Sequence, residues 1–260
     1  MLTLASLTES VILQRQEKLI DNGPQLRGIG SAKFGQNQFQ MQIAGASCQP
    51  GKAPELVKRA LTFANSHMQN ISWTFLPERE DHDIAAALEH EGFAKREDLR
   101  LMGKIGELNT PKFPAKDVET EPIRSIYDMK EYERIAAWGF NNQQYISNDY
   151  LTMRSGERWE EQQSQWYQYY IGKISGQVVS GAYISLWERV PTIYGVVTIP
   201  TARGRGAAGS VMIALVKDII GRGFPWTCLY VALGNPAEKL YTDLGYTFLL
   251  TLSTYYHSYY

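Results

Sequence analysis

Val196-Val197-Thr198-Ile199-Pro200-Thr201-Ala202-Arg203-Gly204-Arg205-Gly206-Ala207-Ala208-Gly209 is the stretch whose reading decides the fold of this chain. A β-branched run ends at Ile199, Pro200 turns the chain, and small residues lead straight into a helix. A helix start leaves four backbone N–H groups without internal partners and carries the positive end of the helix dipole. Gly204, Gly206, Ala207, Ala208 and Gly209 place nothing bulky before those donors, so a phosphate oxygen can approach them directly. Arg203 and Arg205 add side-chain charge suited to a pyrophosphate. Each exposed helix-terminal interaction contributes about 0.3–1 kcal/mol. Several of them with an arginine are enough for micromolar binding, about −8 kcal/mol. The alternative is a glycine-rich turn that serves packing alone.

Two familiar nucleotide loops fail here. Gly204-x-Gly206-x-x-Gly209 matches the dinucleotide fingerprint, but that fold places an acidic residue about 20 positions further on. No acid lies between Asp218 and Glu238, and the 51 residues after Gly209 are too few for a doubly wound sheet. A Walker loop is excluded because no Gly-Lys-Ser/Thr follows.

Arg203-x-x-Gly206-x-Ala208 after Val-Thr-Ile-Pro resembles the acetyl-CoA loop of the Gcn5-related N-acetyltransferase (GNAT) superfamily. Asn235-Pro-Ala-Glu-Lys-Leu-Tyr241-Thr-Asp-Leu-Gly245-Tyr246 resembles the second signature of that superfamily, a helix reading Ala-x-x-Leu-Tyr-x-x-x-Gly-Phe. Ala208 stands where glycine is common and Tyr246 where phenylalanine is. The resemblance covers about 140 residues, from Pro122 to Tyr260. It implies an α+β fold with a central mixed β-sheet flanked by helices, and a sheet that splays open between strands Thr192–Ile199 and Trp226–Leu233. The pantetheine arm of acetyl-CoA would lie in that gap against Val197, Thr198 and Ile199. Backbone amides from Arg205 to Gly209 would hold the pyrophosphate, with Asn235 near the arm and Tyr241 near the thioester sulfur.

The chemistry gives these parts work. An amine of pKa near 10 must lose a proton before it attacks a thioester, and the leaving thiolate, of free pKa about 8.5, gains from a nearby hydroxyl donor. Tyr241 is the candidate general acid. Glu188, just after a strand, is one candidate base, and a solvated glutamate reads the same. The aromatic residues Trp159, Trp166, Tyr167, Tyr169, Tyr170 and Tyr255-Tyr256-His257-Ser258-Tyr259-Tyr260 suit either an acceptor pocket that attracts amine cations or a packed core.

The rest of the chain bounds this reading. Lys plus Arg number 26 against 27 for Asp plus Glu, a balance with no global pull toward nucleic acid or anionic membranes. Cys48 and Cys228 form neither a disulfide framework nor a metal site. No apolar run of about 18 residues appears, so a soluble cytoplasmic protein is expected, monomeric or homodimeric. Residues 109–121 are proline-rich and acidic and read as a linker between residues 1–108 and 122–260.

Before that linker the same order of elements recurs. Trp73-Thr74-Phe75-Leu76 matches Trp226-Thr227-Cys228-Leu229, and each is followed by a short helix closing in Gly-aromatic, Gly92-Phe93 and Gly245-Tyr246. The first half lacks the loop, since Cys48-Gln49-Pro50-Gly51-Lys52-Ala53-Pro54 loses a backbone donor at Pro54, and it has Leu88 where the second has Tyr241. The expectation is two GNAT-like folds in tandem, the first degenerate, and an N-acetyltransferase acting on the amine of a small molecule or peptide. A non-catalytic acyl-CoA sensor is the alternative.

Overall fold

The computed structural model describes residues 3, 6–7, 26, 28–36, 40–75, 81–96, 98–110, 115, 117–186 and 190–259. They form two compact units. One gathers the described residues of Met1–Leu7, Met102–Tyr230 and Pro236–Phe248, the other those of Thr8–Leu101, Val231–Asn235 and Leu249–Tyr260. Among the described residues there are six α-helices.

In the first unit, β6 (Glu119–Pro122), β7 (Tyr167–Ile174), β8 (Gln177–Ser185) and β9 (Thr192–Thr198) pair antiparallel in sequence order, and β10 (Trp226–Ala232) pairs parallel to β9. Parallel neighbours need a crossover, supplied by α5 (Ala207–Gly221). The β7–β8 hairpin turns on Ser175 and Gly176, both at positive φ (52° and 78°), the pair of conformations that a two-residue hairpin loop needs. Helices α3 (Ile126–Asn141) and α4 (Asn148–Gln163) pack on each other, while α6 (Ala237–Asp243) follows β10. Strand alternation assigns the faces. Tyr169 meets Tyr132 of α3 and Arg158 of α4, whereas Gly172 would meet Val211 of α5 if it carried a Cβ.

The second unit is built around β1 (Gly30–Gln36), β2 (Gln40–Cys48), β3 (Asn70–Phe75) and the end of β11 (Thr247–His257). β2 and β3 are parallel, joined by α1 (Ala53–Ser66); β1 and β11 flank them antiparallel, and β4 (Ala94–Lys95) also pairs with β11. Leu56, Val57 and Ala60 of α1, Ile84 and Leu88 of α2 (His82–His90), and Trp73 form its core, which Tyr255 of β11 joins. Asp81 caps α2 by accepting from the amides of Asp83 and Ile84. In both units a strand, a helix and a parallel strand lead to a short helix. That helix then ends at a positive-φ glycine (Gly92 or Gly245) before a buried aromatic.

Ser125, at φ −143° and ψ 158°, is the N-cap of α3, its hydroxyl accepting from the Asp128 amide at 3.1 Å and donating to Asp128 Oδ2 at 2.7 Å. Glu119–Pro122, inside or beside the expected linker, is a strand against β7, and Pro122 is tolerated at its end because an edge has donors to spare. Met102–Thr110 group with the first unit, and the final strand supplies Ser253–His257 as the partner of β3. A strand with apolar residues on both sides carries no mark in its own letters of which sheet it joins.

Ser125→Ala is expected to lower stability by about 1 kcal/mol, read from the shift of the urea unfolding midpoint with its slope unchanged.

Candidate functional site

β9 is irregular, and the irregularity starts the site. Gly181 of β8 pairs with Val197 and Tyr183 with Tyr194, so three steps along β9 answer two along β8. The extra residue is a β-bulge at Gly195, whose φ is +61°. A Cβ on Gly195 would lie 2.3 Å from Tyr132 Oη, and one on Gly181 would lie 2.7 Å from Tyr132 Cδ2. The two glycines thus leave room for the fully buried phenol of Tyr132, which donates to the Gly195 carbonyl at 3.3 Å. Burial pushes the Tyr132 hydroxyl well above its usual pKa, so it stays a donor. The bulge resets the alternation, and both Tyr194 and Val197 face α3.

The β9–β10 register ends just before the bulge. Their recorded register is Cys228↔Thr192 and Leu229↔Ile193, with Cys228 N–H donating to the Pro191 carbonyl at 2.9 Å. Tyr194 and Tyr230 are the first residues past the last pair.

At the end of β9 the chain makes a short 3-10 turn, Pro200–Ala202, and enters α5 through Gly204 (φ +76°) and Gly206 (φ +80°), two conformations that disfavour side chains. Gly206 is the N-cap, and no side chain caps the helix. The first intrahelical bond runs from the Ser210 amide to the Gly206 carbonyl, so the amides of Ala207, Ala208 and Gly209 point out of the helix start. Gly139 of α3 allows close approach to β9, since its Cβ would meet Val197 Cγ2 at 2.2 Å. Arg203 uses that contact. Its guanidinium donates to the Gly139 carbonyl at 2.9 Å and to the Thr198 carbonyl at 3.3 Å, tying α3 to the strand end. Arg205 is exposed and makes no hydrogen bond or ion pair with the described residues. Of the two arginines singled out in the sequence, Arg205 is the one whose charge is uncommitted.

Tyr241 is 6% exposed on α6. Its helix lies against the start of α5, where Leu240 Cδ1 is 3.7 Å from a Cβ placed on Gly209. Its ring meets Tyr246 edge-on, and its hydroxyl has no protein hydrogen-bond partner among the described residues. Burial pushes its pKa up to about 12. Asn235 is exposed in the turn that follows β10, its amide donating to the Ala232 carbonyl, and it groups with the second unit. Glu188 lies outside the described residues. No cluster of metal ligands occurs among the described residues, and none of their helices is long and apolar enough to cross a membrane.

Sequence reasoning missed the most organised part of this face. Tyr169, Tyr183, Tyr194 and Tyr230 sit on four adjacent strands with near-parallel rings, at centroid spacings of 4.6, 5.6 and 6.4 Å. Arg158 of α4 covers Tyr183 at 5.2 Å and donates to Tyr169 Oη at 3.3 Å. It pairs with Glu161 at 3.1 Å and Glu133 at 3.5 Å, and Tyr169 donates to Glu161 at 2.8 Å. Burial raises the Glu133 pKa against the opposing charge of Arg158. Tyr170 faces the other way, toward Asp218 and Arg222 of the α5 side. The available signal was Gly195 inside a strand pattern, the mark of a bulge, directly after Tyr194.

The profile for the family described as FR47-like protein matches residues 171–256. No curated protein sequence matches the chain. Among solved structures, a GCN5-related N-acetyltransferase from Kribbella flavida aligns at 14% identity and TM-score 0.65, over 98% of this chain and 96% of that one. A conserved protein of unknown function from Staphylococcus epidermidis aligns at 13% identity and TM-score 0.67, over 94% and 97%. A tandem GNAT protein from the clavulanic acid biosynthesis pathway aligns at 12% identity and TM-score 0.58, over 88% and 78%. The mixed α/β fold is that of the GNAT and FR47-like proteins.

Gly195→Val would add strain at a positive φ and press on Tyr132 and Tyr183. We expect a loss of about 2–4 kcal/mol, measured by urea unfolding. An unchanged midpoint would show that the bulge repacks without cost.

Proposed function

We propose that this chain is an acetyl-CoA-dependent N-acetyltransferase that passes an acetyl group directly to the amine of a small molecule or peptide. The observation that carries the reading is the parting of β9 from β10 after Ile193 and Leu229, beside an uncapped helix start entered through two glycines. In a GNAT-like fold this places anion-binding amides at one end of an open strand edge.

In this reading the amides of Arg205 to Gly209, with the Arg205 guanidinium, hold the pyrophosphate. The edge at Val197, Thr198 and Ile199 receives the amides of the pantetheine arm. Arg203 acts on the ligand indirectly, by holding the strand end against α3. The acceptor ammonium gives a proton to solvent, and the free amine attacks the thioester carbonyl. A C–N bond forms, the C–S bond breaks, the electron pair goes to sulfur, and the nitrogen gives its second proton to water. Tyr241 keeps its proton at neutral pH, since its pKa is pushed up to about 12. It therefore stabilises the thiolate as a hydrogen-bond donor, and the thiolate takes its proton from water. Proximity of the two reactants supplies most of the acceleration, up to about 7–11 kcal/mol in ideal cases.

The first half, residues 1–108, is proposed as a degenerate copy of the same fold. Its support is the repeated order of parallel strands and helices, together with α1, which begins at Ala53 with Pro54 in its first turn. The protein is proposed to work in the cytoplasm as a monomer or homodimer.

Calorimetric titration with acetyl-CoA, with NAD as control ligand, is expected to give micromolar binding of acetyl-CoA alone at one site per chain; no binding overturns the proposal. Gly206→Glu places a carboxylate where phosphate belongs and is expected to weaken acetyl-CoA more than about 100-fold, the thermal melt reporting whether the fold is kept. Tyr241→Phe should lower kcat about 10–100-fold, the worth of a hydrogen bond to a charged group, with acetyl-CoA affinity nearly unchanged. Wild-type kcat in that variant would remove Tyr241 from the chemistry.

A further inference from the structure

The end of α6 ties Tyr241 to the sheet. The Tyr246 amide donates to the Tyr241 carbonyl at 3.0 Å and the Gly245 amide to the Thr242 carbonyl at 2.9 Å, with Gly245 at φ +91°. These two bonds make the helix-ending motif in which the side chain after the glycine packs on a residue of the last turn. Here those side chains are Tyr246 and Tyr241, whose rings meet edge-on at 6.3 Å. Asn109 covers the motif from outside. Its amide donates to the Leu244 carbonyl at 2.9 Å, and its side chain lies where a Cβ on Gly245 would come within 2.7 Å.

Tyr246 is itself fixed through its hydroxyl. That group lies 2.8 Å from the Thr227 hydroxyl of β10, and both residues are buried. Burial pushes the Tyr246 hydroxyl well above its usual pKa, so it keeps its proton at neutral pH. From the strand to Tyr241 the path is one hydrogen bond and one ring contact.

The second unit supplies the comparison. There α2 ends in the same motif, the Phe93 amide donating to the Leu88 carbonyl at 3.0 Å and the Gly92 amide to the Glu89 carbonyl at 3.1 Å. Its two side chains, Leu88 and Phe93, are buried and carry no hydroxyl. The motif thus closes and packs without hydroxyls, and the two hydroxyls occur together on the helix that carries the candidate donor. A buried hydroxyl has to be paired, a demand that a phenyl ring in the same space does not make. The Tyr246–Thr227 bond therefore serves something beyond ending the helix.

We propose that Tyr246 is a positioning residue for Tyr241: held by Thr227, it fixes the ring whose hydroxyl meets the leaving sulfur. The proposal rests on the acyl-transfer reading and on the place of Tyr241 in it.

The test uses Tyr246→Phe and Thr227→Val, each alone and combined with Tyr241→Phe, in the full chain carrying isotope-labelled tyrosine. The Tyr241 signal in the NMR spectrum is the one lost in Tyr241→Phe. Phenylalanine keeps the neighbouring ring, so a shift of that signal in Tyr246→Phe reports movement of Tyr241. Turnover is followed as CoA-thiol release from acetyl-CoA with ethanolamine, spermidine and glycinamide as acceptors. Both variants are expected to shift the Tyr241 signal and to lower kcat about tenfold, with acetyl-CoA affinity held within about twofold. In the Tyr241→Phe background the same changes should lower kcat no further, because the group they aim is gone. A Tyr241 signal unmoved in both variants overturns the proposal. So does an equal loss of kcat in both backgrounds, which is what a merely structural role gives. If the signal moves but acetyl-CoA neither binds nor turns over, Tyr246 still positions Tyr241 and the acyl-transfer reading falls. Thr227→Val, which keeps the side-chain volume, decides the matter if Tyr246→Phe does not fold.

Discussion

The phenol of Tyr132 occupies space that two absent side chains leave, at Gly181 and Gly195, and much of the site follows from that placement. The hydroxyl holds the Gly195 carbonyl, the carbonyl belongs to a residue in the left-handed region, and the left-handed residue is the extra one in β9. With that residue inserted, Tyr194 and Val197 face the same helix. The strand bends where its hydrogen bonds to β10 end. A buried hydroxyl that lost this partner would cost about 1–3 kcal/mol, so bulge and phenol support each other. The geometry is fixed by exclusion: any Cβ at either glycine would need the ring to leave.

A second constraint works at the far end of β9. Gly139 lets α3 approach within contact of Val197, and Arg203 then bridges two carbonyls, one from the helix and one from the strand. The loop that follows is free of side chains on its donor side and anchored at its root. Anion sites on helix starts gain from such anchoring, because donors held in place need not be ordered by the ligand.

The letters of the sequence were most informative where local chemistry alone decides the backbone. Ser175-Gly176 is a two-residue turn because both residues are at positive φ, and Gly204 and Gly206 open α5 for the same reason. Val211, Met212, Leu215 and Ile219 keep helical spacing, and all four are buried. Long-range facts were not legible. The cap of α3 is ambiguous in the letters, because Asp128 three residues after Ser125 fits either a capping pair or a cap of its own. The tyrosine row depends on which residues of four strands fall opposite one another, a register set by hydrogen bonding and by the bulge, not by any one segment. The carbonyl partners of Arg203 lie 5 and 64 residues away, contacts that the letters of the loop do not show.

The pairing of β3 with β11 sets a clock on the birth of the molecule. Thr74 and Thr254 face each other across 180 positions. At roughly 5–20 residues per second of synthesis, the strand that flanks β3 leaves the ribosome about 10–40 seconds after it. During that interval the edge of β3 is an unpaired ladder, open to whatever strand comes near. Residues 102–230, which form most of the other unit, emerge within the same interval and can fold around their own local hairpins first. Closing so long a loop costs only about 2 kcal/mol more than closing one of 20 residues. The delay is therefore a matter of order more than of energy, and this half of the protein is completed by the last strand described.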